Sequence, residues 1–290
     1  MAASPADAPV VVIGDALVDA IDGAAHPGGA ALNVAIGLTR LGVPARLIAM
    51  VGDDEPGRVL REHCERHGVE LVATPAPLGT AVATAVRDGD TMRYEFNAAG
   101  VERFVDLEGL EPLLADAPLV VVSCLALEHE RQVAPLLALD RSAERLLIDP
   151  NARPAYLRET GAVARFAQGL DALAARALLV KLSDEDAELL YGEDADETAA
   201  RLVAAGARAV AVTRGPGGAT ILTADGAVDA AVPALAAPIV DTIGAGDSVL
   251  ASLTASVVSG ARGWAGPLER AMAVAAATTR SAGGLLQLPA

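Results

Sequence analysis

Apolar residues fall in two rhythms along this chain. Val10 to Ile13, Ala45 to Val51, Leu119 to Cys124, Leu146 to Ile148, Ala177 to Val180 and Ala209 to Thr213 are short continuous runs, the pattern of strands buried on both faces. Between them Ala30 to Leu41, Arg58 to His67, Asp184 to Leu190 and Thr198 to Ala205 repeat apolar positions at helical spacing. Each is closed by a glycine, at Gly42, Gly68, Gly192 and Gly206, which is a helix stop signal. Strand and helix alternating in this way predict an α/β fold: a doubly wound, mostly parallel sheet flanked by helices. Abundant alanine blurs the helical period after residue 160.

One segment departs from the alternation. Thr80 to Arg87 and Thr91 to Phe96 are rich in Val, Thr, Tyr and Phe and flank Asp88-Gly89-Asp90, the residues of a tight hairpin turn. With Ala16 to Ile21 they predict a small antiparallel β lid, drawn from about 16–30 and 78–97 and inserted in a single domain spanning 1–290. Its alternation sets Val82, Thr84 and Val86 on one face and Ala81, Ala83, Ala85 and Arg87 on the other. A two-stranded unit is marginal alone and its free edges invite pairing, so a second subunit is expected to cover the lid in a homodimer.

Composition narrows the function. With 52% apolar residues, 21% charged and a mean hydropathy of +0.39, a chain of 290 residues has a generous core. Twenty-two basic against 38 acidic residues leave a formal charge of −16, which repels nucleic acid and anionic membranes alike. The longest apolar run, 117–127, stops at Glu128, short of the roughly 18 residues of a membrane span. Met1 to Pro9 carries neither basic residues nor an apolar stretch, so no signal peptide is read there. The 2 cysteines, Cys64 and Cys124, lack CxxC spacing, and a reducing cytoplasm is the expected compartment. Lys181, the sole lysine, is preceded by Val180 rather than glycine, which excludes a Walker phosphate loop.

The densest chemistry lies at Asp241-Thr242-Ile243-Gly244-Ala245-Gly246-Asp247-Ser248, ahead of a helix-like stretch from Val249 to Val258. Two glycines permit a tight turn whose amides, with those of Ala245 and Asp247, converge on an anion hole reinforced by the helix dipole. By local chemistry Asp247 reads first as a helix N-cap and second as a base. Gly28-Gly29-Ala30-Ala31-Leu32-Asn33 is a second glycine-rich helix entry, where Asn33 either satisfies local backbone or binds a polyol. Asp15 and Asp19 follow the first strand, where ligands gather in open α/β sheets. His63 and His67 share a helical face, but Cys64 stands where HExxH needs Glu, so that face is read as solvated.

These motifs resemble those of the ribokinase-like carbohydrate kinases, the PfkB family. DTIGAGDS at 241–248 is similar to the family's C-terminal signature and GGAALNVAIGLTRLG at 28–42 to its N-terminal one. VGDDEPG at 51–57, DPNARP at 149–154, KLSDED at 181–186 and VTRGPGGA at 212–219 follow in the family's order, so the resemblance spans roughly Val10 to Pro289. It implies a ribokinase-like fold and ATP-dependent phosphorylation of a hydroxyl on a small sugar, with Mg²⁺ and, in some members, K⁺ as cofactors.

Carried over residue by residue, the resemblance makes Asp247 the catalytic base and Gly244, Ala245 and Gly246 the anion hole. It places Asp19, Gly29, Asn33 and Arg153 on substrate hydroxyls. Ser183, Thr213, Gly215 and Gly218 fall on the nucleotide side, while Lys181 is expected either to approach the ATP phosphates or to pair with nearby acids. Asp186, where the family usually has Glu, is implied to organise magnesium through water, and Asp241 to support a monovalent cation. An aspartate with the reference pKa of about 3.9 is already ionised at neutral pH, so Asp247 needs no upward shift to orient the hydroxyl and take its proton. Fructose or a related keto sugar is the expected acceptor. 2-Keto-3-deoxygluconate is second, since Arg153 can meet a carboxylate, and a nucleoside third, disfavoured by only 3 Phe, 3 Tyr and 1 Trp. A non-catalytic sugar or nucleotide sensor on the same fold is the reading from another class. A nicotinamide dehydrogenase is weaker, because no GxGxxG follows the first strand.

Overall fold

The computed structural model describes residues 8–21, 24–88, 91–140, 142–235 and 237–289. The first seven residues, on which the signal-peptide expectation falls, and Gly89-Asp90 of the expected turn lie outside them. Thirteen strands among the described residues form two sheets: β1 (Val10–Gly14), β2 (Leu17–Ile21), β3 (Ala24–Gly28), β4 (Ala45–Met50), β5 (Glu70–Thr74), β6 (Ala81–Asp88), β7 (Thr91–Phe96), β8 (Val120–Ser123), β9 (Leu146–Asp149), β10 (Leu179–Ser183), β11 (Val210–Thr213), β12 (Ala219–Thr223) and β13 (Gly226–Ala230).

The larger sheet has the order β13-β12-β11-β10-β9-β8-β1-β4-β5 and is parallel from β5 to β11, with β12 and β13 added antiparallel. Its middle strands are buried on both faces, which is why they read as unbroken apolar runs. Val10 and Val12 of β1 pack on one side with the helices Ala30–Arg40, Ala245–Val258 and Ala265–Thr278, while Val11 and Ile13 pack on the other with Phe166 and Leu170 of the helix Ala162–Ala174. Chain order reverses at β1, with β4 on one flank and β8 on the other. That switch point opens a crevice at the carboxyl ends of the strands.

The smaller sheet has the order β3-β2-β6-β7. Its outer pairings are antiparallel, and the central pair, β2 with β6, is parallel, with Leu17 opposite Ala81 and Asp19 opposite Ala83. Two strands so far apart in the chain are joined by a crossover rather than a hairpin, so parallel pairing is open to them. Ala81 and Ala83 are buried while Thr84 is exposed, so the face of small residues turns inward.

Boundaries differ from the expected ones where a side chain outside the run decides. β10 continues through Lys181 to Ser183 because the lysine is buried with an acidic partner. The helix Glu55–Arg66 starts ahead of Arg58, since the Asp54 carboxylate accepts from Gly57 N at 2.9 Å and Pro56 suits a first turn. No helix among the described residues is long and apolar enough to cross a membrane.

Candidate active site

The carboxyl ends of β1, β8, β9, β10 and β11 and one face of the small sheet enclose a cavity of about 1050 Å³. Asp19, Gly29, Asn33, Arg153, Lys181, Ser183, Asp186, Thr213, Gly215, Asp241, Gly244, Gly246 and Asp247 all line it. Ala245 and Gly218 do not. The backbone of Gly218, at φ 86, instead lies so close to β13 that a Cβ would sit 2.4 Å from the Ala230 carbonyl oxygen.

The helix Ala245–Val258 begins at Gly244, which holds φ 76, and a Cβ there would come within 2.1 Å of the Gly284 carbonyl oxygen. Only glycine fits both demands. No side chain caps this helix, so Asp247 is not an N-cap, contrary to the local reading. The expected four-amide anion hole is narrower too, because Ala245 N is turned to the Thr242 carbonyl at 3.3 Å. Gly246 N and Asp247 N have no partner among the described residues and are left to face the cavity with the helix dipole behind them.

The Asp247 carboxylate is aimed at the same spot by long-range contacts. Asn33 Nδ2 donates to Oδ2 at 2.8 Å, and Asn151 Nδ2 to Oδ1 at 3.5 Å. Asn33, expected to bind a polyol, therefore has its amide engaged on the carboxylate. Burial raises the Asp247 pKa to about 6, with the Asn33 hydrogen bond and the charge of Lys181 opposing the rise. A base needs no such rise, and at neutral pH the group is still mostly ionised.

Lys181, expected to approach ATP phosphates or to pair with nearby acids, donates to Asp149 Oδ2 at 2.9 Å, and both side chains are buried. Its Nζ lies beside the start of the helix Ala245–Val258, 3.0 Å from where a Cβ on Gly246 would sit. Burial pushes Asp149 up to about 6 against the pull of Lys181, while burial lowers the Lys181 pKa but is outweighed by Asp149, Asp186 and Asp247. Asp186 is tied into the protein on both oxygens. Its Oδ2 accepts from Ser183 N and Oγ in a capping box, and its Oδ1 accepts from Ala152 N at 2.8 Å, tying the helix Asp184–Tyr191 to the loop after β9. Asp241 bridges two loops, accepting from Ile243 N at 2.9 Å and Gly283 N at 3.1 Å. Arg214 is held by Asp196 and Thr220.

The other end of the cavity is walled by Asp15, Asp19, Arg153, Tyr156, Phe96 and Cys124. Asp15 Oδ1 accepts from Ala31 N at 3.1 Å, and burial raises its pKa against the charges of Arg153 and Arg103. Gly28 leaves room for Asp19, whose Oδ2 would lie 2.4 Å from a Cβ at that position. Burial raises the Asp19 pKa, opposed by His26 across the β2–β3 pair. Sequence reasoning left Asp149, Asn151, Tyr156 and Phe96 without a site role. The DPNARP run carried a signal for the first two, and nothing local marked the aromatics.

No group of three or more His, Cys, Asp or Glu side chains among the described residues is placed to hold a metal ion. Asp184 and Glu185 lie on the cavity rim, and single carboxylates of this kind suit a magnesium ion that keeps most of its waters. His63 is buried rather than solvated, and burial lowers its pKa to about 4.

The model of the pfkB family carbohydrate kinases matches residues 9–290. A fructokinase of Rhizobium leguminosarum bv. trifolii is 30% identical over 267 residues, covering 86% of this chain and 79% of the relative. A fructokinase of Klebsiella pneumoniae is 32% identical, covering 86% and 84%. Among solved structures, aminoimidazole riboside kinase from Salmonella enterica, complexed with aminoimidazole riboside and an ATP analog, superposes with a TM-score of 0.77 at 25% identity, covering 96% of this chain and 95% of that one.

Proposed function

The chain belongs to the pfkB family of carbohydrate kinases, and from that premise we propose that it transfers the γ-phosphoryl group of ATP to a hydroxyl of fructose or a closely related keto sugar. The observation that carries this reading is the Asp247 carboxylate beside the unpaired amides of Gly246 and Asp247, in one cavity with Asp15, Asp19 and Arg153. A base next to an anion hole has a use only when a hydroxyl lies between them. A sensor would need no base held by Asn33 and Asn151. The choice of fructose is supported by the two fructokinase relatives.

In this mechanism Asp19 and Arg153 hold the sugar hydroxyls, and Gly29 shapes the helix entry beneath them. Asp247, ionised above about pH 6, orients the reactive hydroxyl and takes its proton as the phosphoryl group moves in line. The amides of Gly246 and Asp247 receive the charge that develops on the transferring group. Ser183, Thr213 and Gly215, at the ends of β10 and β11, face the nucleotide, while Lys181 and Asp186 act from behind by fixing Asp149 and the loop after β9. Magnesium, when bound on the phosphates, supplies neutralisation of their β and γ oxygens; a potassium ion would belong beside the loop that Asp241 ties to Gly283. Both cysteines are free and buried, which suits a reducing cytoplasm. An ATP-consumption assay over fructose, other sugars, 2-keto-3-deoxygluconate and nucleosides tests the reading. Fructose should give the highest kcat/KM, and ATP binding without turnover of any acceptor would leave the sensor reading in its place.

The small sheet serves as the lid of one kinase domain and as the face of a homodimer. Water must be kept from the γ-phosphoryl group, and β2, β3, β6 and β7 present Asp19, His26, Ala83 and Phe96 to the cavity. Replacing residues 83–95 with a short Gly/Ser loop spares Thr80, whose hydroxyl donates to Asp54 at 2.6 Å. This variant should raise the sugar KM, increase ATP hydrolysis relative to sugar phosphorylation and shift the mass by light scattering toward a monomer. Unchanged coupling with an unchanged mass would refute both roles.

A further inference from the structure

Two residues of one continuous segment pack on the ring of Tyr156. Phe96, the last residue of β7, meets it with ring centroids 4.7 Å apart and planes at 59°. The Arg103 guanidinium carbon lies 4.6 Å from its centroid. Between them Asn97 fixes the segment: its Oδ1 accepts from Gly100 N at 2.8 Å and Val82 N at 3.0 Å, and its Nδ2 donates to the Thr80 carbonyl at 2.9 Å. Arg103 then takes a left-handed conformation, φ 34, after the helix Ala98–Glu102.

Arg103 is 6% exposed, and its Nη2 donates to the buried Glu128 Oε1 at 2.8 Å. Its Nε and Nη1, and Glu128 Oε2, have no partner among the described residues. A left-handed arginine with a buried charge and spare donors is costly to keep. Packing that charge on a ring of the cavity wall gives it a function. We propose that Arg103 is a positioning residue that determines which acceptors the cavity takes, holding Tyr156 in place against the last residue of the lid strand. A ring so held cannot swing aside. The wall then admits compact polyols and resists acceptors with a bulky substituent such as a nucleobase.

The inference rests on the acceptor reading of this end of the cavity. Arg103→Lys keeps a cation for Glu128 but removes the guanidinium from the ring, and Tyr156→Leu removes the ring while leaving the Arg103–Glu128 pair. Each should raise the fructose KM about 3- to 30-fold, the range of a partly desolvated cation–π contact. Preference for fructose over a purine nucleoside should fall by a similar factor, with the ATP KM changed by less than about twofold. A purely structural role would lower the melting temperature and leave the acceptor ranking untouched. Folded Arg103→Lys with wild-type fructose KM and ranking overturns the inference; if that variant does not fold, the same result in Tyr156→Leu does so. A wild-type protein that phosphorylates no acceptor overturns the acceptor reading itself, and the inference with it.

Discussion

Asp247→Asn is expected to leave the protein folded and to lower turnover about 10²- to 10⁴-fold, the usual worth of a positioned base. The amide preserves volume beside Asn33 and Asn151 but accepts no proton. Since burial sets the wild-type group at about 6, kcat/KM of the wild type should be flat above neutral pH and fall roughly tenfold per unit well below it. Asp149 is raised to the same range, so the apparent value belongs to the coupled cluster. The stability effect has the opposite sign. A carboxyl whose folded pKa lies above its unfolded value gains stability as pH falls through about 6, and at neutral pH its ionised form is a burden. Asp247→Asn should therefore melt at or above the wild-type temperature. Asn33→Ala, by freeing the carboxylate, should lower kcat as well as raise the sugar KM; a loss confined to KM would return Asn33 to a purely sugar-binding role. Near wild-type turnover in Asp247→Asn would remove the base assignment.

Lys181→Met is expected to destabilise the fold by about 3–5 kcal/mol, because it strands a fully buried carboxylate at Asp149. The deficit should narrow toward pH 5. Asp149 already titrates near 6 with its cation in place, and without it protonation is favoured further, relieving the buried charge. Lys181→Met combined with Asp149→Asn should recover much of the loss, a coupling that urea titrations of the four proteins would measure. If the single variant unfolds at the wild-type urea concentration, the pair is not the brace described here. If it keeps its stability but loses ATP affinity alone, Lys181 belongs on the nucleotide.

The parallel sheet was legible because β1, β8, β9 and β11 are buried on both faces and so open as apolar runs, and in β4 Arg46 alone interrupts the run. The helix Ala162–Ala174 and the hairpin β12–β13 were not, since alanine carries little periodic contrast and β13 is half exposed. Within the site, Gly244, Gly246 and Asp247 stood out as a local run of residue types with a shared use. Their partners did not. Asn33 and Asn151 reach Asp247 from 214 and 96 residues away, and Lys181 finds Asp149 across 32. A charged residue taken alone cannot be assigned to ligand or to counter-ion: the contacts of Lys181 with Asp149, and of Asp186 with Ser183 and Ala152, are set by the tertiary fold. The Phe96–Tyr156–Arg103 packing had no signal in any single segment.

Phosphorus NMR of the protein with magnesium, ATP and fructose tests the central claim most directly. The account predicts a sugar phosphomonoester resonance that grows in step with ADP in the wild type and is almost absent with Asp247→Asn. ADP accompanied only by inorganic phosphate, or phosphomonoester formed at the wild-type rate by Asp247→Asn, would contradict it.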